Sequence, residues 1–230
     1  MKCLLIALVV AVWCSTAFTQ DLSREEKLAQ IKDLNAKIDK IVGDLLSPSA
    51  DDLKQAASEG CRAARINPRE TYGRIAVPQE GGSFFSFSTG SHDYQGVSQL
   101  LLEQNYLSTG FAGADYGLIG ELGDIPLSDV DEKNPRVAFL MRYTAPGNIL
   151  DARVEQRRSG QYVAGNLVFH SRVKALIGST YVLRTISFDQ ADTLVAFRTI
   201  RKDTDGSVII FWKTLAEYPK PTLDRNVKEN

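Results

Sequence analysis

Among the residues able to do chemistry, two arginines in the C-terminal third have the most informative spacing. Val182, Arg184, Ile186 and Phe188 alternate with residues of an opposite face, and Leu194, Ala196, Arg198 and Ile200 do the same after the short polar link Asp189-Gln190-Ala191. Such a pattern predicts a β-hairpin. Pairing Phe188 with Asp192 sets Arg184 opposite Ala196 and Arg198 opposite Val182, which makes the two guanidinium groups diagonal neighbours on one face. Like charges so placed need water or an anion between them, and their planar forks match carboxylate, sulfate or phosphate groups. Lys213, on the following strand, extends the patch. Anion binding by Arg184, Arg198 and Lys213 is therefore the expected chemistry, with a solvated outer face as its rival, since a one-residue slip would part the arginines.

Carboxylates supply a second candidate. Asp115, Glu121, Asp124, Asp129, Asp131 and Glu132 fall close together, and a glycoside hydrolase needs only two carboxyl groups at a suitable separation. Pro126, Pro135 and many turn formers read the same stretch as a polar connecting loop. Histidine offers less. Only His92 and His170 occur, without the spacing of a zinc site, so no metal or cofactor is expected. His92, in Gly90-Ser91-His92-Asp93-Tyr94, reads as part of an exposed turn, and His170 as the end of a strand. No Gly-x-Ser-x-Gly elbow is present. Gly113, Gly117, Gly120 and Gly123 lack the Gly-Lys-Ser/Thr of a phosphate loop and read instead as bulges or close packing in a strand.

The elements that must position these residues begin after a leader. Lys2, the apolar run Cys3–Cys14 and the small polar stretch Ser15–Gln20 follow the order of a secretory signal peptide, expected over residues 1–19. Its run is too short for a span of roughly 20 residues. Removing it leaves Cys61 as the one cysteine, expected to be buried and inert, with a bridge between chains as the alternative. The reading is thus of a secreted or otherwise extracytoplasmic protein. Lys and Arg total 27 against 28 Asp and Glu, a balance that argues against nucleic acid as a partner.

Residues 20–66 read as a helical hairpin. Ser23 and Glu26 have the spacing of a capping box, and Ile31, Leu34, Ile38, Ile41 and Leu45 form one apolar stripe. That stripe is expected to pack on its own chain, the alternative being that it joins chains into an oligomer. Ser49 and Asp52 repeat the capping spacing and open a second helix, expected to reach Ala64, with Leu53, Ala57, Cys61 and Ala64 on one face.

Beyond Pro68 the periodicity turns to two. Strands are expected near 73–78, 83–89, 116–122, 136–144, 162–170, 180–188, 192–201 and 207–215, with 97–107 undecided between helix and strand and 151–159 a short helix or ordered loop. Asp203-Thr204-Asp205-Gly206 supplies a tight turn. The fold class is α+β, mainly β: an antiparallel β-sandwich or barrel-like meander over residues 67–218, preceded by the helical hairpin and followed by a flexible tail at 219–230. The function expected is a secreted, non-catalytic binding or structural module whose ligand is an anionic glycan or another protein. Its rivals are an extracytoplasmic hydrolase using the carboxylates of 115–132 and a component that self-assembles through 23–46.

Overall fold

The structure, a computed structural model, describes residues 22–72, 78–92 and 97–226. The expected leader and all but the last residue of the first expected strand, 73–78, lie outside them. The described residues divide into two units that meet within the first helix, one ending at Lys40 and the other beginning at Ile41.

Helix α1 runs Arg24–Leu46. Its capping box forms as the spacing predicts: Ser23 N–H donates to Glu26 Oε2 at 2.8 Å, and Glu26 N–H to Ser23 Oγ at 3.2 Å;. The apolar stripe is largely exposed, with Leu45 half-buried at its end. No described residue of α1 is buried, and Leu28, Ile31, Leu34, Ile38 and Ile41 remain 46–66% exposed.

Helix α2, Ala50–Ser58, opens with the second capping box, Ser49 with Asp52, but ends six residues before Ala64. Gly60 takes a positive φ of 69°, which stops the helix, and the chain leaves as strand β1, Arg62–Ile66. The helical spacing of Ala57, Cys61 and Ala64 is coincidental; Ala64 and Ile66 are buried at period two, against the large sheet. The segment 20–66 thus holds the two expected helices, followed by a strand. One turn, α3, covers Arg69–Tyr72.

Ten further strands follow among the described residues. β2 is Phe84–Phe85, β3 Leu100–Glu103, β4 Tyr106–Ser108, β5 Tyr116–Gly123, β6 Tyr162–Ala164, β7 Leu167–Phe169, β8 Arg172–Lys174, β9 Thr180–Ser187, β10 Ala191–Lys202 and β11 Val208–Tyr218. They build three antiparallel sheets: five strands in the order β1-β11-β10-β9-β5, four in the order β2-β3-β4-β8, and the β6-β7 hairpin. The undecided segment 97–107 is therefore extended. The five-stranded sheet ends at β1 and β5 and closes into no barrel, so the sandwich alternative holds.

One core lies between the two larger sheets, joining Phe85, Leu100, Leu102 and Leu107 to Leu183, Phe197, Ile210 and Trp212. The other face of the five-stranded sheet carries Leu118, Val182, Leu194, Ala196, Ile209 and Phe211, covered by Ala56 of α2, by Leu127 and Val130, and by Val137 and Leu140 of helix α4, Pro135–Arg142. A sheet covered on both sides explains why every residue of β9 is buried;. Helix α4 replaces the strand expected at 136–144. Asn134 caps it by accepting from Arg136 N–H at 3.0 Å, and Pro135 fits its first turn;. Its short apolar run, Val137–Met141, has no period that separates strand from buried helix. Helix α5, Ile149–Arg158, fills the place of the short helix expected at 151–159.

Of the flexible tail expected at 219–230, the described part, 219–226, docks. Leu223 is 8% exposed, Asp189 N–H donates to Pro221 O at 2.8 Å, and Ile149 N–H donates to Asp224 O at 2.9 Å.

Candidate functional site

The β9–β10 hairpin forms in a register two residues away from the expected one. Asp192 pairs with Ile186, Arg184 with Leu194, and Arg198 with Thr180. The loop is Phe188-Asp189-Gln190, and Asp189 takes the left-handed conformation at φ 63° that a three-residue loop requires. A shift of two preserves the face. Arg184, Arg198 and Lys213 thus share the helix-covered face, Lys213 lying opposite Ala196 on β11, but they are not neighbours. Arg198 sits at the far end, donating through Nη2 to Asp124 Oδ1 at 2.6 Å and through Nη1 to Ile125 O at 2.8 Å. It anchors a loop and shares no anion with Arg184.

Arg184 is 3% exposed and holds a partner of its own. Its Nε donates to Asp192 Oδ1 at 2.9 Å and its Nη2 to Asp192 Oδ2 at 2.8 Å, the bidentate geometry in which Arg–carboxylate pairs are strongest;. Its Nη1 donates to the carbonyls of Leu140 at 2.5 Å and Tyr143 at 2.7 Å. Those oxygens belong to the end of α4, where helix carbonyls lack internal partners, so Arg184 caps the helix and offsets the negative end of its dipole. The guanidinium also lies over the Tyr218 ring, 3.7 Å from its centroid;.

This assembly borders a cleft of about 480 Å³, lined by Met141 and Arg142 at the end of α4, by Tyr143–Gly147 after it, by Arg184 and Asp192, and by Tyr218–Thr222. Its ionisable lining includes three cations, Arg142, Arg184 and Lys220, and one carboxylate, Asp192. That carboxylate is already committed to Arg184. Arg142 and Lys220 are exposed and carry no ion pair among the described residues. The lining therefore has an uncompensated positive charge at its rim, with the Thr144 and Thr222 hydroxyls and the Tyr218 ring beside it.

Across the Tyr143–Pro146 segment lies a second cleft, of about 560 Å³, lined in part by Phe139, Tyr143, Asp151, Glu155, Arg158 and Tyr162. Phe139, Tyr143 and Tyr162 form a triangle with centroids 5.9–6.2 Å apart. Tyr143 Oη donates to Glu155 Oε2 at 2.7 Å. Having spent its one proton there, it accepts from Tyr116 Oη, also at 2.7 Å;. The other Glu155 oxygen receives Arg158 Nη1 at 2.6 Å. Burial pushes both phenols well above the usual tyrosine range, and for Tyr143 the neighbouring Tyr116 and Glu155 add to the rise. Both remain protonated donors at physiological pH.

The remaining candidates lie elsewhere. Asp115 Oδ1 accepts Phe188 N–H at 3.0 Å beside the hairpin loop, whereas Glu121 and Asp124 lie toward the opposite end of β5, roughly 20 Å away at the usual strand rise. Asp115 therefore cannot pair with either at the separations a glycosidase uses. Among the described residues no group of three His, Cys, Asp or Glu is placed to hold a metal ion. His92 is not in an exposed turn; it is 8% exposed, and its Nδ1 meets Phe84 O at 2.6 Å. Cys61 is half-buried and free, and burial pushes its thiol upward, consistent with an unreactive residue;. Gly117 and Gly120 mark close packing against Thr109 and Phe169, as glycines within a strand suggest;.

Arg142, Tyr143, Tyr218 and Lys220 were not legible as site residues. No spacing links 142–147 to 218–222, which meet only because α4 and β11 end at the same corner. Of the expected patch only Arg184 borders the cleft. No protein-family model, no curated protein and no solved structure matches this chain.

Proposed function

We propose that the protein is an extracytoplasmic, non-catalytic binding module whose ligand is an anionic glycan, taken in the cleft beside Arg184. The observation that carries this reading is the charge of the lining: Arg142 and Lys220 stand uncompensated at the rim because the only lining carboxylate, Asp192, is held bidentately by Arg184. A sulfate or uronate group meets donors there without an opposing free carboxylate. Tyr218, Thr144 and Thr222 add a ring and hydroxyls suited to a sugar;. The extracytoplasmic part of the reading rests on the Lys2–Gln20 leader pattern.

The test is retention on immobilised sulfated polysaccharide and on polygalacturonate at low salt. Arg142→Ala with Lys220→Ala is expected to reduce retention severalfold, and Arg198→Ala with Lys213→Ala to leave it unchanged. Equal retention of both double variants, or passage of the unaltered protein through both columns, would overturn the proposal.

A further inference from the structure

We propose that α1 joins two copies of this chain along the stripe Ile31, Leu34, Ile38 and Ile41, with Leu28 beside it. All five side chains are 46–66% exposed, and no described residue of the 23-residue helix is buried. Ile31, Leu34, Ile38, Ile41 and Leu45 recur at three and four residues, the a and d positions of two heptads, with isoleucine at the first two a positions and leucine at the first d;. Two copies would cover on the order of 1,000 Å² of this surface, the lower bound for a specific interface.

The charge pattern selects the occupant. Arg24–Leu46 carries five basic and five acidic residues, so it lacks the Lys/Arg excess of a helix that lies on an anionic membrane. The positions flanking the stripe are largely uncharged: Leu28, Asn35 and Val42 on one side, Gln30, Lys37 and Asp44 on the other. Lys37 is already held by Asp33 at 2.7 Å. Two identical stripes can therefore meet without burying an unpaired charge or facing a row of like charges. The same patch serving both partners is what a two-fold dimer requires. Two heptads make a short seam, so the association depends on concentration.

The experiment uses the chain from Gln20 to Asn230, which retains every described residue. Light scattering or sedimentation from low to high micromolar is expected to give a mass rising toward twice that of one chain. Ile31→Lys with Ile38→Lys should hold it at one chain mass, with circular dichroism and the unfolding midpoint of the β-rich body unchanged. Neutral and anionic lipid vesicles form a second arm. A single-chain mass at every concentration, a variant that still doubles, or a monomer that sediments with vesicles would each overturn the proposal.

Discussion

Arg184 and Asp192 face each other as a two-point ion pair, at 2.9 and 2.8 Å, with neither side chain more than 5% exposed. Their residues are not directly opposite: Asp192 pairs with Ile186 and Arg184 with Leu194, so the bridge runs diagonally along one face. Because Arg184 also holds the last carbonyls of α4, removing its counter-charge affects more than one bond. Asp192→Ala should destabilise the protein by about 3–5 kcal/mol, the usual cost of leaving a buried charge unpaired. Asp192→Asn, which keeps one acceptor, should cost less. Urea unfolding midpoints that rank the two variants the other way, or a loss below about 1 kcal/mol for Asp192→Ala, would mean that water replaces the carboxylate.

The direction of the phenol chain gives a second expectation. Tyr116 donates to Tyr143, which donates to Glu155. Tyr143→Phe removes the central link and leaves the phenol of Tyr116, a residue only 1% exposed, without its acceptor, a loss of about 1–3 kcal/mol. Tyr116→Phe removes only the terminal donor and should cost about 0.5–1.5 kcal/mol. The double variant should lose less than the two singles together, since one substitution abolishes what the other disturbs. Thermal unfolding of all three variants checks this; additive losses would show that the links act independently.

The sheet was readable because period two survives burial where turns bound it. Leu183, Val195 and Ile210 on one face and Val182, Ala196 and Ile209 on the other can be assigned by alternation and by the turns at Asp189 and Gly206. Helix α4 was not readable, because five apolar residues in succession suit a strand and a buried helix equally; the informative signal was Asn134-Pro135, a cap followed by a first-turn proline. The arginine patch failed for a different reason. Alternation fixes the face of Arg184 but not the register, which the left-handed Asp189 decides. Nor can periodicity say that a carboxylate eight residues away, Asp192, folds back beneath it.

Gly117 allows the edge strand β5 to lie close to Thr109. A Cβ at this position would stand 2.6 Å from Thr109 Oγ1, 2.7 Å from its Cγ2 and 3.1 Å from the Arg184 carbonyl. Thr109 is 6% exposed, and its backbone N–H donates to Ser171 O, so it has little freedom to withdraw. Gly117→Ala should cost about 1–3 kcal/mol, the range for overpacking. Thr109→Ala in the same chain should recover part of that loss, giving a coupling of at least about 0.5 kcal/mol in a double-mutant cycle. A coupling of zero would trace the cost to the Arg184 backbone instead.

His92 should make the protein less stable as the pH falls through the mildly acidic range. Burial holds its imidazole below the ordinary histidine value, and Nδ1 meets the Phe84 carbonyl. The unfolded chain takes up a proton near pH 6.5, whereas the folded chain does so only at lower pH. The stabilising contribution is therefore complete above the unfolded value and declines as pH drops toward the folded one, by at most about 1.4 kcal/mol per pH unit. Asp205, lowered by hydrogen bonds from Tyr72, Ser207 and Arg65, and Asp52, lowered by those from Arg201 and Ser49, act in the same direction but only below the unfolded carboxylate range. Asp115, raised by burial, acts in the opposite direction. Comparing the unaltered chain with His92→Asn at each pH removes these shared contributions, and the asparagine amide can still donate toward Phe84. The difference in urea midpoint between the two proteins should narrow, or reverse in favour of the variant, between pH 7.5 and pH 5. Parallel curves across that interval would mean that His92 binds its proton equally well folded and unfolded.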